Sequence, residues 1–175
     1  VKYSAAADGA VVINDEYSNL TLEGGVKNVN ALGDTVKVAN AFVNSTDFTA
    51  NNVEAGSVDN SNGKMTLSGK LATGALTNAN GTITAGGALT ASAITNTNGV
   101  ITLNADGNSW NADQTIAGTV IYNGADQAIV GSKYTNLTLS GSGVKTAAGT
   151  LTVTDAFTNS VTLDAENVAL GTVDN

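Results

Sequence analysis

Between Val58 and Gly99 a short phrase recurs at a fixed interval: VDNSNG (58–63), LTNANG (76–81) and ITNTNG (94–99). Asn60, Asn78 and Asn96 are 18 residues apart; so are Asn62, Asn80 and Asn98, and likewise Gly63, Gly81 and Gly99. The same step carries Met65 to Ile83 to Ile101, Leu71 to Leu89 and Leu76 to Ile94. Between the repeated phrases apolar residues alternate with polar ones, the period of a strand and not of a helix. A unit this short cannot bury its own apolar face, so it must stack on its neighbours as one coil of a solenoid. The in-register Asn side chains are then expected to form turn ladders, each amide bonding to the next.

The flanking regions are two copies of another sequence. VKYSAAADGAVV (1–12) matches VIYNGADQAIV (120–130), and Tyr17-Ser-Asn-Leu-Thr-Leu22 matches Tyr134-Thr-Asn-Leu-Thr-Leu139. Gly25-Val-Lys27 pairs with Gly143-Val-Lys145, Ala41-Phe-Val-Asn-Ser45 with Ala156-Phe-Thr-Asn-Ser160, and Gly56-Ser-Val-Asp-Asn60 with Gly171-Thr-Val-Asp-Asn175. The chain therefore reads as one domain, 1–175: a first copy (1–60), regular 18-residue repeats (61–119) and a second copy (120–175). Segments such as Thr35-Val-Lys-Val38 and Thr150-Leu-Thr-Val153 alternate Thr with β-branched or apolar residues, as half-buried strands do. Gly- and Asn-rich turns separate them, and no helix-period segment exceeds two turns. The expected fold is an all-β, right-handed parallel β-solenoid of about nine coils spaced about 4.8 Å apart. The alternative is an antiparallel, pilin-like β-sandwich built from the two copies.

Composition removes many activities. With no His and no Cys there is no imidazole base, thiolate nucleophile, disulfide or Cys/His metal site. All seven basic residues are Lys, against 15 acidic ones, for a net charge of −8. A nucleic-acid partner needs a basic footprint that this chain lacks. No apolar run approaches the roughly 20 residues of a membrane-spanning helix, so no membrane insertion is expected. Aromatic residues make up only 5%, which leaves a narrow core of small aliphatic side chains. With one Trp, no Arg and no long loop to form a cleft, the chain is not expected to be an enzyme.

The phrases YNGADQAIVGSKYTNLTLSGSGVKTAAGTLTV (122–153) and LTNANGTITAGGALTASAITNTNGVITL (76–103) resemble repeats of secreted bacterial surface proteins. The second is similar to filamentous-haemagglutinin-like adhesin passengers, and the first to repeat modules of large exported proteins. The resemblance implies an extracellular, rod-like adhesin or fibre component at the cell surface, and it carries no catalytic residues.

Asp106, Asn108 and Asp113, around Trp110, gather oxygen ligands of the kind calcium prefers. Their spacing does not follow the EF-hand pattern, and a solvated loop is the simpler reading; Asp164-Ala-Glu166 is a second, similar cluster. No other cofactor is expected. Lys27 and Lys145 hold equivalent places after Gly-Val, where a solvent-facing or snorkelling Lys is expected and an isopeptide-forming Lys is the alternative. Thr66, Thr84 and Thr102 form a column beside Lys64, Thr82 and Val100, expected as ordinary strand Thr, with an ice-binding array as the alternative. Asn19, Asn44, Asn80 and Asn136 head N-x-[ST] sequons, expected to be bare in a bacterial protein.

The expected function is that of a structural subunit of an extracellular bacterial filament, a homopolymer joined head to tail through unpaired strand edges. Val1 opens inside strand grammar and Asn175 stops inside the turn phrase, with no Pro or charge cluster at either end. A following subunit is expected to supply the missing coil. The alternative is a repeat or stalk segment of a large cell-surface adhesin.

Overall fold

A computed structural model describes residues 1–5, 10–12, 16–29 and 35–174. Its strands are β1 (Lys2–Tyr3), β2 (Ala10–Val12), β3 (Glu16–Tyr17), β4 (Leu20–Leu22), β5 (Lys27–Val29), β6 (Thr35–Asn44), β7 (Asp47–Ala50), β8 (Asn52–Asp59) and β9 (Lys64–Leu67). They continue with β10 (Leu71–Thr77), β11 (Thr82–Ala85), β12 (Leu89–Thr95), β13 (Val100–Leu103), β14 (Thr115–Tyr122), β15 (Gln127–Ile129), β16 (Lys133–Leu139), β17 (Val144–Asn159) and β18 (Thr162–Asp174). Every paired strand among the described residues is parallel to its neighbour, and each pairs with a strand about one coil away in sequence. The chain is a parallel β-solenoid. The antiparallel sandwich is ruled out by this pairing: a sandwich joins its strands by hairpins, and here each coil closes on itself before the next begins.

Three sides run the length of the first half. Side one stacks Leu20, Phe42, Val58, Leu76 and Ile94. Side three stacks Tyr17, Val38, Ala55, Thr73 and Ala91 in the same sheet. Side two forms the second sheet and runs through Ala10, Lys27, Phe48, Met65, Ile83, Ile101, Val120, Leu137, Phe157 and Val173. The 18-residue step is thus the length of one coil, and it places like residues directly above one another. Alternate residues point inward, and Leu20, Phe42, Val53, Met65, Ile83, Leu89, Ile101 and Leu137 are buried in a single interior column.

Between sides three and one the strand path is irregular. There β6 places Ala39 and Asn40 opposite the single Gly56 of β8, a bulge that re-aims the strand. The carbonyl of Ala39 lies 2.6 Å from where a Cβ on Gly56 would stand, and the carbonyl of Gly56 lies 2.5 Å from the same point on Gly74. The second copy repeats the irregularity at Gly171, whose Cβ would meet the Thr154 carbonyl at 2.2 Å.

The two copies share a sequence but not a side. Leu20, Phe42 and Val58 lie on side one; their equivalents Leu137, Phe157 and Val173 lie on side two, in the other sheet. The second copy is therefore turned by one of the three sides. The turn is introduced across residues 104–118, where Gly118 folds in over Asn96 with its amide on the Asn96 carbonyl.

Candidate functional site: interior turn caps and the two end coils

Each tight corner of a solenoid leaves carbonyl oxygens pointing inward, away from water, and each must find a donor. Polar side chains inside the rod supply them. Asn60 Nδ2 donates to Gly63 O at 3.0 Å and to Asn78 Oδ1 at 2.9 Å. Asn78 Nδ2 does the same to Gly81 O at 3.1 Å and Asn96 Oδ1 at 2.8 Å, and Asn96 Nδ2 reaches Gly99 O at 3.0 Å. The ladder begins one coil earlier than the repeated phrase, with Asn44 Nδ2 on Asn60 Oδ1 at 2.7 Å. Asn44 is buried, unlike the exposed Asn80 of another sequon. Asn62, Asn80 and Asn98 form an outer, exposed column, in which Asn98 Nδ2 donates to Asn80 Oδ1 at 3.3 Å. The Gly of each Asn-Gly pair is required by close approach and not by a left-handed backbone: a Cβ on Gly81 would lie 1.8 Å from Asn60 O, and one on Gly99 2.1 Å from Asn78 O.

Lys27 and Lys145 correct the sequence reading. Both are fully buried, and neither faces solvent. Lys145 Nζ donates to the carbonyls of Gly124 at 2.9 Å, Ala125 at 2.6 Å and Ser142 at 2.8 Å. Lys27 Nζ donates to Ala5 O at 3.0 Å and to Gly25 O. Each ammonium ties the corner of its own coil to the corner of the coil below. Burial holds the Lys145 amine below the usual Lys range, while the nearby Asp126 carboxylate acts in the opposite sense. One coil below Lys145, Gln127 does the same work with Nε2 on Leu103 O at 3.0 Å and Ala105 O at 2.8 Å. Length lets Lys27 and Lys145 fill this place: a Lys stem fills the narrow core while its head reaches the corner.

Two further motif roles appear in both copies. Tyr3 and Tyr17 join hydroxyls at 3.1 Å, as do Tyr122 and Tyr134. In the second pair both rings are fully buried, and burial pushes the Tyr122 hydroxyl up to about 12. Asn19 and Asn136 each accept a hydrogen bond at 3.3 Å from the amide of the next coil, at Ala41 and Ala156.

Two of the residues proposed for calcium each give one oxygen to a backbone amide. Asp106 Oδ1 accepts from Ala128 N at 2.8 Å, and Asn108 Oδ1 from Leu89 N at 2.9 Å. Asp113 sits in an Asx turn with Asn111, and Trp110 is a core residue whose Nε1 donates to Ser132 Oγ at 2.8 Å. Asp164 and Glu166 lie exposed on β18. Among the described residues no three Asp or Glu side chains converge. The Thr66, Thr84 and Thr102 column lies on the outside of side two, flanked by Lys64, Thr82 and Val100 as the spacing requires.

The duplication also pairs the tips with covered surfaces. β18 repeats the sequence of β7 and β8, and β8 carries β10 on its far side. β1 repeats the end of β14, which rests on β13. Val1 is 68% exposed where its equivalent Val120 is 1% exposed. The described chain offers no strand to cover either tip. The fold and these caps define a β-solenoid repeat protein. Set against family models, curated proteins and solved structures, the chain matches none.

Proposed function

We propose that this protein is a structural subunit of an extracellular bacterial filament, assembling with copies of itself head to tail. One observation carries the reading: the two end coils of the described chain are sequence copies of surfaces that, elsewhere in the same chain, are covered by another coil. The cover needed is a parallel strand that continues the interior column, and a second copy carries such strands at its opposite tip. The edge contact is β-augmentation, with main-chain hydrogen bonds supplying affinity and the interior column supplying register. A head-to-tail contact does not close on itself, so it builds a fibre. The interior is occupied by caps and apolar side chains, which suits a load-bearing rod. Light scattering over a concentration series, with electron microscopy of the same samples, tests the reading. Fibres one rod wide are expected; a monodisperse monomer at millimolar concentration overturns it.

The internal duplication favours a second reading, a repeat or stalk segment of a large cell-surface adhesin. There the same tip contacts are made within one polypeptide. The mass of the native polypeptide separates the two: many further copies in one chain select the stalk.

A further inference from the structure

We infer that Asn80 is a self-modification site, the first side chain of this rod to lose its amide to the neighbouring backbone. The chain holds four Asn-Gly pairs, at 62–63, 80–81, 98–99 and 123–124. Glycine has no Cβ to shield its own backbone nitrogen. In such a pair the Gly nitrogen attacks the Asn Cγ. The new N–Cγ bond closes a succinimide ring, the proton on the Gly nitrogen passes to solvent base, and the side-chain nitrogen leaves as ammonia. Water then opens the ring at either carbonyl, giving Asp or isoaspartate. Solvent supplies every reagent, so the fold controls the rate through two things: whether the Gly nitrogen is free and whether the side-chain carbonyl is polarised.

The fold separates the four pairs. Gly124 N donates to Gln127 Oε1 at 2.8 Å. The Asn123 amide is held at both ends, Nδ2 on Asn104 Oδ1 at 3.1 Å and Oδ1 under Ser140 Oγ at 3.0 Å. Attack there gives up a buried hydrogen bond and strands the oxygen of Gln127, a buried residue. The outer column is different. Asn62, Asn80 and Asn98 are all exposed. Around Asn80 the corner is pinned on both sides, by Asn80 N on Ser61 O at 2.8 Å and Thr82 N on Gly63 O at 2.9 Å. Asn78 Nδ2 holds the Gly81 carbonyl at 3.1 Å. The nitrogen between these anchors is free: among the described residues nothing accepts from Gly81 N or from Gly99 N. Gly63 N, by contrast, donates to Asn60 O at 3.3 Å.

One rung sets Asn80 apart from Asn98. Asn98 Nδ2 donates to Asn80 Oδ1 at 3.3 Å. A donor on this oxygen draws charge from Cγ and stabilises the oxyanion that forms as Gly81 N adds. Asn98 has the free nitrogen without such a donor, and Asn62 has neither. The order of reaction is therefore Asn80, Asn98, Asn62 and, last, Asn123. The two products differ in consequence. Asp keeps the coil length and adds one negative charge to an exposed column. Isoaspartate adds a backbone carbon next to Gly81, where a Cβ would already lie 1.8 Å from Asn60 O.

The test incubates folded protein beside protein in urea at mildly alkaline pH. Tandem mass spectrometry follows the replacement of NH2 by OH at each Asn over time. In the folded protein Asn80 is expected to convert faster than Asn98 by about twofold or more, with Asn123 unconverted over the same period. In urea the four are expected to convert at similar rates, since all precede Gly. Asn98→Ala removes the donor rung and is expected to slow Asn80 by about twofold or more at an unchanged melting temperature. The same order of rates in folded and unfolded protein, Asn123 converting as fast as Asn80, or an Asn80 rate untouched by Asn98→Ala overturns the inference.

Discussion

Val53 and Val168 occupy the same place in the two copies of one sequence, 115 residues apart, yet Val53 is 0% exposed and Val168 is 43% exposed. Val53 has Leu71 of the next coil above it in register, whereas among the described residues Val168, on β18, pairs only with Leu151 below it. The pair separates stability from assembly. Val53→Asp buries an unpaired charge and is expected to destabilise the fold by more than about 3 kcal/mol. Val168→Asp is expected to leave the monomer's melting temperature nearly unchanged while abolishing fibres. Thermal melts and light scattering on the two variants check this; equal loss of stability in both would contradict it.

The inner and outer Asn columns look alike in sequence and differ in burial. Asn78→Ala removes a rung with partners above, below and at its own corner, leaving buried groups unsatisfied at about 1–3 kcal/mol each. A loss of about 3 kcal/mol is expected by denaturant titration. Asn98→Ala, on the exposed column, is expected to change stability by less than about 0.5 kcal/mol.

Glycines at corners act for two different reasons, and one comparison separates them. Gly81→Ala drives a methyl into the Asn60 carbonyl at 1.8 Å, so the coils must part; a loss above about 3 kcal/mol is expected. Gly149 has φ of +79° with nothing within 4 Å of its Cβ position. Gly149→Ala is expected to lose only about 1 kcal/mol, from the backbone alone. Melting temperatures of the two variants decide.

Alkaline pH is expected to unfold the rod through its buried hydroxyl pair. Tyr122 has its folded value raised to about 12 from 10.0, chiefly by burial. The unfolded chain releases this proton first, so the stabilisation is whole below pH 10 and is lost as pH rises toward 12. At about 1.4 kcal/mol per pH unit, the shift is on the order of 2–3 kcal/mol. Lys145 acts oppositely: with its folded value lowered by burial, stability rises with pH between that value and 10.5. Tyr122→Phe is expected to flatten the loss above pH 10 in pH-dependent melts; an unchanged slope would remove Tyr122 as its cause.

The regular coils are interchangeable, because Leu71, Leu76 and Asn78 stand where Leu89, Ile94 and Asn96 stand one level higher. Deletion of residues 79–96 is expected to give a folded, cooperative rod shorter by one coil, about 4.8 Å. Circular dichroism and small-angle scattering check this; a molten or aggregated product would show that the coils are not equivalent.

The regular interior was legible because strand alternation and a constant coil length are local properties of the chain. Asn60, Asn78 and Asn96 announced their ladder by spacing alone, whereas Asn44 sits 16 residues from Asn60 and escapes a search at 18. Asp106 and Asn108 looked like cation ligands because short polar side chains serve a loop or a metal equally well. Only packing shows that one oxygen of each accepts a backbone amide of a neighbouring coil.

By itself the sequence determined the parallel stack, its coil length and the duplication, since each follows from which residues recur and how far apart. Tertiary structure alone decided that Lys27 and Lys145 turn inward, because the choice depends on how many carbonyls a corner leaves without a donor. It also decided that the second copy is turned by one side, because the turn accumulates in the irregular coil of residues 104–118 and in no single residue.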